Sequence, residues 1–294
     1  MRKAFATAVM ERSGQDDWFF LTGDLGFMAL EEVQEAFGRR FINAGVAEQN
    51  MVGVAAGLAR EGFNVIVYSI APFCYARPFE QIRNDLCLGR LPVCLVGNGG
   101  GYAYGYMGPT HHALEDCAVM NALGVRVLAP AFDEDIVPML TQLEVPTYLR
   151  LGYDARPAGK SIPGYAPWRE VLPGGNGALA ALGPLAGVAW LALADLPVAE
   201  RPAVWAVCEF DESSIPDAFI KQLNGLPLYV FEEHVAQGGL GMHLTLALAH
   251  LGKHPGRFIH RYALGYPTGR FGSQAFHRAQ CGLDAESIRA LITG

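Results

Sequence analysis

A chain of 294 residues is long enough for two ordinary domains, and 51% apolar residues can fill two cores. With 17% charged residues, 35 Gly and 18 Pro, the composition excludes a disordered or coiled-coil chain and suits an α/β protein with many short turns. A net charge of -7 excludes a general attraction to nucleic acid or to an anionic membrane.

The first segment, MRKAFATAVMERSG, returns to charge after seven apolar or small residues, and no cleavage region follows. No signal peptide is expected, and the cytoplasm is the expected location. WFFLTG (Trp18–Gly23) then reads as a buried strand and LEEVQEAFG as a helix stopped by Gly38. RFINAG is a second strand that leads into the helical run EQNMVGVAAGLAREG. NVIVYSI is a third strand, FEQIRNDLCLG a helix and PVCLVGN a fourth strand. HALEDCAVMNALG reads as a helix, VRVLAP as a strand, and a further helix is expected from Asp133 before PTYLRLG, which reads as an edge strand. Repeated βα units imply a parallel sheet covered on both faces, with ligands at the carboxyl ends of its strands.

Asp154–Trp168 is punctuated by Pro and Gly and reads as a linker between domains. The division expected is residues 1–155, a linker over 156–168, and a smaller α/β domain over 169–294, with strands ALAALG, AVWAVCEF and LYVFEEH. Gly177 to Ala194 carries no charge and is long enough to span a membrane. Gly183-Pro184 divides it, however, as in a buried strand followed by a packed helix. The six cysteines form no zinc-like spacing and read as reduced thiols, four of them in or beside apolar runs.

The strongest local signal for chemistry is FINAGVAEQNMVGVAAGL (Phe41–Leu58), which places Glu48 at a strand-to-helix junction among small residues. Taken alone, Glu48 reads first as a carboxylate that stabilises a helix N-terminus. His111 and His112, taken alone, are an ambiguous pair. Glu232, Glu233 and His234 are consecutive on a strand and alternate faces, so they do not converge on a metal.

The run around Glu48 resembles the pyrimidine-domain signature of the transketolase family. Three blocks follow in the family's order: RPFEQIRNDL (Arg77–Leu86), GPTHHALEDCAVMNALGVRVLAP (Gly108–Pro130) and PTYLRLG (Pro146–Gly152). FEEHVAQGGLG (Phe231–Gly241) is similar to a segment of the family's C-terminal domain. The resemblance implies an α/β fold: a parallel-sheet pyrimidine-binding domain, then a smaller α/β transketolase C-terminal-type domain.

It also implies thiamine diphosphate as cofactor. Glu48 would hydrogen-bond a ring nitrogen of the aminopyrimidine and so favour the tautomer that deprotonates the thiazolium C2, the cofactor then acting as electron sink. Phe73, or as second choice Tyr75, would stack on the pyrimidine, and Leu25 matches a position that touches the cofactor. His111 aligns with a histidine that faces the donor's hydroxyl and carbonyl groups, and His112 stands where the family usually has Gln. The Gly-Asp-Gly of the diphosphate domain, with its Asp and Asn ligands for Mg²⁺, is missing, and no room for that domain precedes Phe41. A second chain, a diphosphate-domain subunit that holds most of the Mg²⁺ site, is therefore expected, in an α₂β₂ assembly.

At the substrate positions Met107, after Tyr106, stands where an acidic residue is usual. A phosphate-binding His is replaced near Gly99, and a following Arg by Tyr153. Tyr102, Tyr104 and Tyr106 are expected to line an aromatic loop instead. The resemblance implies a two-carbon ketol or acyl transfer, and these departures imply a non-phosphorylated or nucleotide-linked sugar as the acceptor. The β component of a 2-oxo-acid decarboxylating enzyme and a non-catalytic assembly subunit remain as alternatives.

Overall fold

The computed structural model describes residues 1–26, 28–141 and 143–294. Six parallel strands form the first sheet: β1 (Trp18–Thr22), β2 (Phe41–Asn43), β3 (Asn64–Ile70), β4 (Val93–Asn98), β5 (Arg126–Leu128) and β6 (Thr147–Leu151). Their order is β2-β1-β3-β4-β6-β5. Alternation along the apolar strands fills both faces. Ile66 and Tyr68 of β3, with Cys94 and Val96 of β4, join one core, whereas Val65, Val67, Val93 and Leu95 join the other.

Five strands form the second sheet: β7 (Trp168–Leu172), β8 (Ala178–Leu182), β9 (Ala203–Val207), β10 (Pro227–Phe231) and β11 (Arg257–Arg261). They are ordered β11-β10-β8-β9-β7, and β7 is antiparallel to β9. The expected α/β architecture, a parallel sheet followed by a smaller sheet with helices, is the one observed. Gly177–Ala194 is divided as expected: β8, then a helix over Leu185–Leu193 that buries eight of its residues. Among the described residues no helix is long and apolar enough to cross a membrane.

Three expectations need correction. β6 is not an edge strand: it lies between β4 and β5 with all five residues buried. Its polar residues are satisfied internally, Thr147 by the Val145 carbonyl and Arg150 by Asp116, so they do not mark a solvent face. The helix expected from His112 begins at Asp116. The strands β7 and β11 were not expected at all.

The two sheets share both cores, since Leu179 and Phe231 belong to the same buried cluster as Phe5 and Phe20, and Trp205 and Phe219 to the same one as Met51 and Tyr148. Polar contacts close the same seam. Buried Arg150 donates to Asp116 Oδ2 at 2.8 Å and to the carbonyls of Ala113 and Glu233 at 2.9 Å. Glu233 accepts from the Tyr102 amide, Gln274 and Arg278. Arg126 pairs with Glu209, and Arg169 with Asp135.

Candidate active site

The chain runs from β1 outward to β2 but from β3 across to β4, so its connections part above the neighbouring strands β1 and β3. Ligands of such sheets gather at the carboxyl ends beside that parting. There Asn43 Oδ1 accepts from the amides of Asp24 (2.9 Å) and Gly45 (3.0 Å), tying the turn after β1 to the turn after β2. Gly45 takes φ +70°, which a side chain would resist, and reverses the chain into the helix Glu48–Arg60. That helix buries Met51, Val52, Ala55, Ala56 and Ala59, and the same face carries Glu48 inward. Close packing is needed here, since a Cβ on Gly23 would lie 3.3 Å from the Gly45 carbonyl oxygen and 3.9 Å from Glu48.

Glu48 is 5% exposed, and its Oε1 accepts from Arg77 Nη1 at 2.6 Å. The Arg77 guanidinium carbon stands 3.7 Å from the Phe73 ring centroid. Phe73, on the short helix Ala71–Tyr75 after β3, meets His111 at 5.2 Å between ring centroids. His111 is held by Thr110 Oγ1 at Nδ1 (2.9 Å) and lies 5.9 Å from the Tyr104 ring. Tyr104 in turn accepts from Asn98 Nδ2. An open concavity of about 610 Å³ adjoins Glu48 and Arg77, and a second of about 310 Å³ contains Leu25.

The structure thus joins Glu48, Phe73 and His111 in one chain of contacts through Arg77 and sets Leu25 at the neighbouring turn. Other expected residues are placed elsewhere. Tyr75 is buried, and desolvation, together with the bond its hydroxyl donates to Glu115, raises its pKa. It belongs to the core beneath the site.

His112 is buried at the seam between the sheets, its Nε2 donating to the Gly105 carbonyl and its Nδ1 accepting from Tyr266, both at 2.8 Å. Neither nitrogen is left for substrate. Tyr106 and Met107 are exposed on the turn Gly105–Met107. The three tyrosines expected to line one loop are dispersed: Tyr102 is fully buried, stacked on His277, Tyr104 is half-buried, and Tyr106 faces solvent. Residues two apart share a face only in a strand, and this segment is a series of turns.

Burial pushes the pKa of His112 below its ordinary value, and likewise that of His277. Such histidines stabilise the fold in the neutral form, so this contribution is present above the unfolded value of about 6.5 and is lost as pH falls below it. Unfolding in urea is expected to require less denaturant at pH 5.5 than at pH 7.5. His112→Gln, which can keep the Gly105 bond without titrating, is expected to narrow the gap.

Two residues of the region carried no role in the sequence. Arg77 lies in a block that resembles the family, but spacing alone does not show that it reaches back to Glu48. Arg2 acts electrostatically on both Tyr68 and Tyr104, as does Tyr153. An N-terminal arginine gives no sign that it meets the end of a sheet.

Metal ligation is not offered by the three buried residues Asp116, Cys117 and His234, whose ligand atoms lie within 4.8 Å of one another. Asp116 Oδ2 accepts from Arg150 and Tyr148, and His234 uses Nε2 for the Ala118 amide and Nδ1 for the Val235 carbonyl. Burial holds the Cys117 thiol protonated. Glu232 is spent on the Leu240 and Gly241 amides and on His260, as expected of a strand-end contact.

The family model described as transketolase, pyrimidine binding domain, matches residues 1–152. The chain belongs to the transketolase family. It is 36% identical over 162 residues to one subunit of the apulose-4-phosphate transketolase of Phocaeicola vulgatus, covering 53% of this chain and 52% of that one. It is also 33% identical over 269 residues to 1-deoxy-D-xylulose-5-phosphate synthase 1 of Geobacter sulfurreducens, covering 86% and 41% respectively. The chain therefore spans about half, or less, of these transketolase-family relatives. A solved structure described as a split gene transketolase, inactive beta4 tetramer, matches with TM-score 0.79 and 27% identity over 99% of this chain and 96% of that one. The transketolase of Leishmania mexicana shares the fold at TM-score 0.77 and 18% identity.

Proposed function

We propose that this chain is the pyrimidine-binding half of a thiamine-diphosphate-dependent transferase that moves a two-carbon ketol or acyl unit. A second chain would supply the diphosphate domain and most of the Mg²⁺ site, in an α₂β₂ assembly. The observation that carries the reading is the convergence of a buried carboxyl, Glu48, and a flat apolar ring, Phe73, on the one side chain Arg77, with an open concavity beside Glu48 and Arg77. Those groups fit an aminopyrimidine, which needs one acid at a ring nitrogen and one stacking surface. The whole-length likeness to a split gene transketolase chain supports a divided enzyme.

Bound thiamine diphosphate supplies the electron sink for breaking and forming a carbon–carbon bond next to a carbonyl. Glu48 would hold and return a proton at its carboxyl, which borders the open concavity that the ring would fill. Phe73 orients the ring. His111, fixed through Nδ1 by Thr110, keeps Nε2 for proton exchange with substrate oxygens. Co-expression with a diphosphate-domain chain, followed by cofactor titration and donor cleavage, tests this. Tight cofactor binding and turnover by this chain alone would remove the need for a partner. Carbon dioxide release from pyruvate would mark the 2-oxo-acid alternative instead.

For the acceptor, Tyr153 and the glycine at Gly99 offer no cation, which favours a sugar without a terminal phosphate. Arg2 favours the opposite, since it brings a guanidinium to Tyr68 and Tyr104 at the same end of the sheet, and the relatives' names are those of sugar phosphates. A terminal phosphate that anchors there would lower KM by about tenfold or more. With the phosphate-free acceptor, we expect equal or better kcat/KM. A clear preference for the phosphorylated acceptor, lost in Arg2→Leu, would reverse that assignment.

A further inference from the structure

Arg77 makes two contacts at once. Its Nη1 donates to Glu48 Oε1 at 2.6 Å, and its guanidinium lies over the Phe73 ring at 3.7 Å. A guanidinium is a planar, delocalised cation whose N–H edge matches a carboxylate and whose face stacks on an aromatic ring. An aminopyrimidine presents the same pair of features: a flat π face, and an edge that hydrogen-bonds a carboxyl group. On the function proposed above, the two groups that would receive that ring are the two that Arg77 now holds.

We propose that Arg77 is a placeholder for the cofactor's aminopyrimidine, which pairs with Glu48 and covers Phe73 until the ring docks, and then withdraws. The pair is built unequally for such an exchange. The Glu48 side chain is 5% exposed and fixed in its helix, whereas the Arg77 side chain is 42% exposed and can swing into solvent. Arg77 sits in the turn between the helices Ala71–Tyr75 and Phe79–Gln81, so its withdrawal requires no helix to move. Gln49 Nε2 donates to the Arg77 carbonyl, which holds the backbone while the side chain leaves. The placeholder also solves a problem of the free chain, because a buried carboxylate without a counter-ion is costly. The step is an exchange of partners and needs no covalent chemistry.

This inference rests on the proposed function, and its test separates the two. Calorimetric titration of thiamine diphosphate with Mg²⁺ is performed on the complex with the diphosphate-domain chain, as wild type, Arg77→Leu and Arg77→Lys. Each cofactor-free complex is also melted. A competing hydrogen bond to a charged group corresponds to at least about tenfold in affinity. Arg77→Leu is therefore expected to bind the cofactor about tenfold more tightly while its cofactor-free complex melts at a lower temperature. Arg77→Lys, which keeps the charge but loses the planar fork, is expected to fall between. Unchanged or weaker binding in Arg77→Leu overturns the placeholder and leaves Arg77 as a support of Glu48 in the loaded site. If Arg77→Leu does not fold, the sign of the change in Arg77→Lys decides in the same way. Cofactor that binds neither wild type nor variant overturns the proposed function and this inference with it.

Discussion

Glu48→Gln is expected to lower turnover of the reconstituted complex by about 10²–10⁴-fold, the range for loss of a positioned acid–base group. Glutamine fills the same volume and keeps an oxygen for Arg77, so the helix Glu48–Arg60 and its packing should be unchanged. What it lacks is a proton to hold and return. The measurement is kcat alongside size-exclusion and circular dichroism profiles of the same complex. Near-normal turnover in an assembled complex would reduce Glu48 to a carboxylate that steadies a helix start. Loss of assembly would instead place it in the interface.

Arg150→Leu should have the largest effect on stability. Its guanidinium is buried with three acceptors, one of them the Asp116 carboxylate, and each lies at 2.8–2.9 Å. Removing one partner of a buried pair leaves the other uncompensated, which costs about 3–5 kcal/mol. Against a usual total of about 5–15 kcal/mol, that is a large share. Urea unfolding of the isolated chain would show it as a shift in midpoint, and soluble yield would fall in parallel. A loss below about 1 kcal/mol would mean that the seam between the sheets rests on its apolar contacts alone.

Much of this was legible because local and global preferences agree. β1, β3 and β4 are continuous apolar runs bounded by turn residues, and such runs have little choice but a strand buried on both faces. The Glu48 junction was legible by resemblance, not by physics, since a glutamate at a helix start has an ordinary explanation. Where reading failed, the decisive contact was remote in sequence. Arg150 makes β6 look half-exposed until Asp116, 34 positions earlier, is brought beside it. His112 resembles a second site histidine until Tyr266, 154 positions later, closes over it. The loop tyrosines differ in fate because turns carry no periodicity to predict it.

Glu48 stands above the interior strands β1 and β3, yet the concavity of about 610 Å³ beside it is open. A site with an open side is finished by whatever settles against it. If that is a second polypeptide, cofactor retention obeys mass action in protein as well as in cofactor. Dilution would then strip the enzyme of thiamine diphosphate at a fixed cofactor concentration, and activity per molecule would fall with concentration. A single-chain enzyme with the same site would keep its specific activity on dilution.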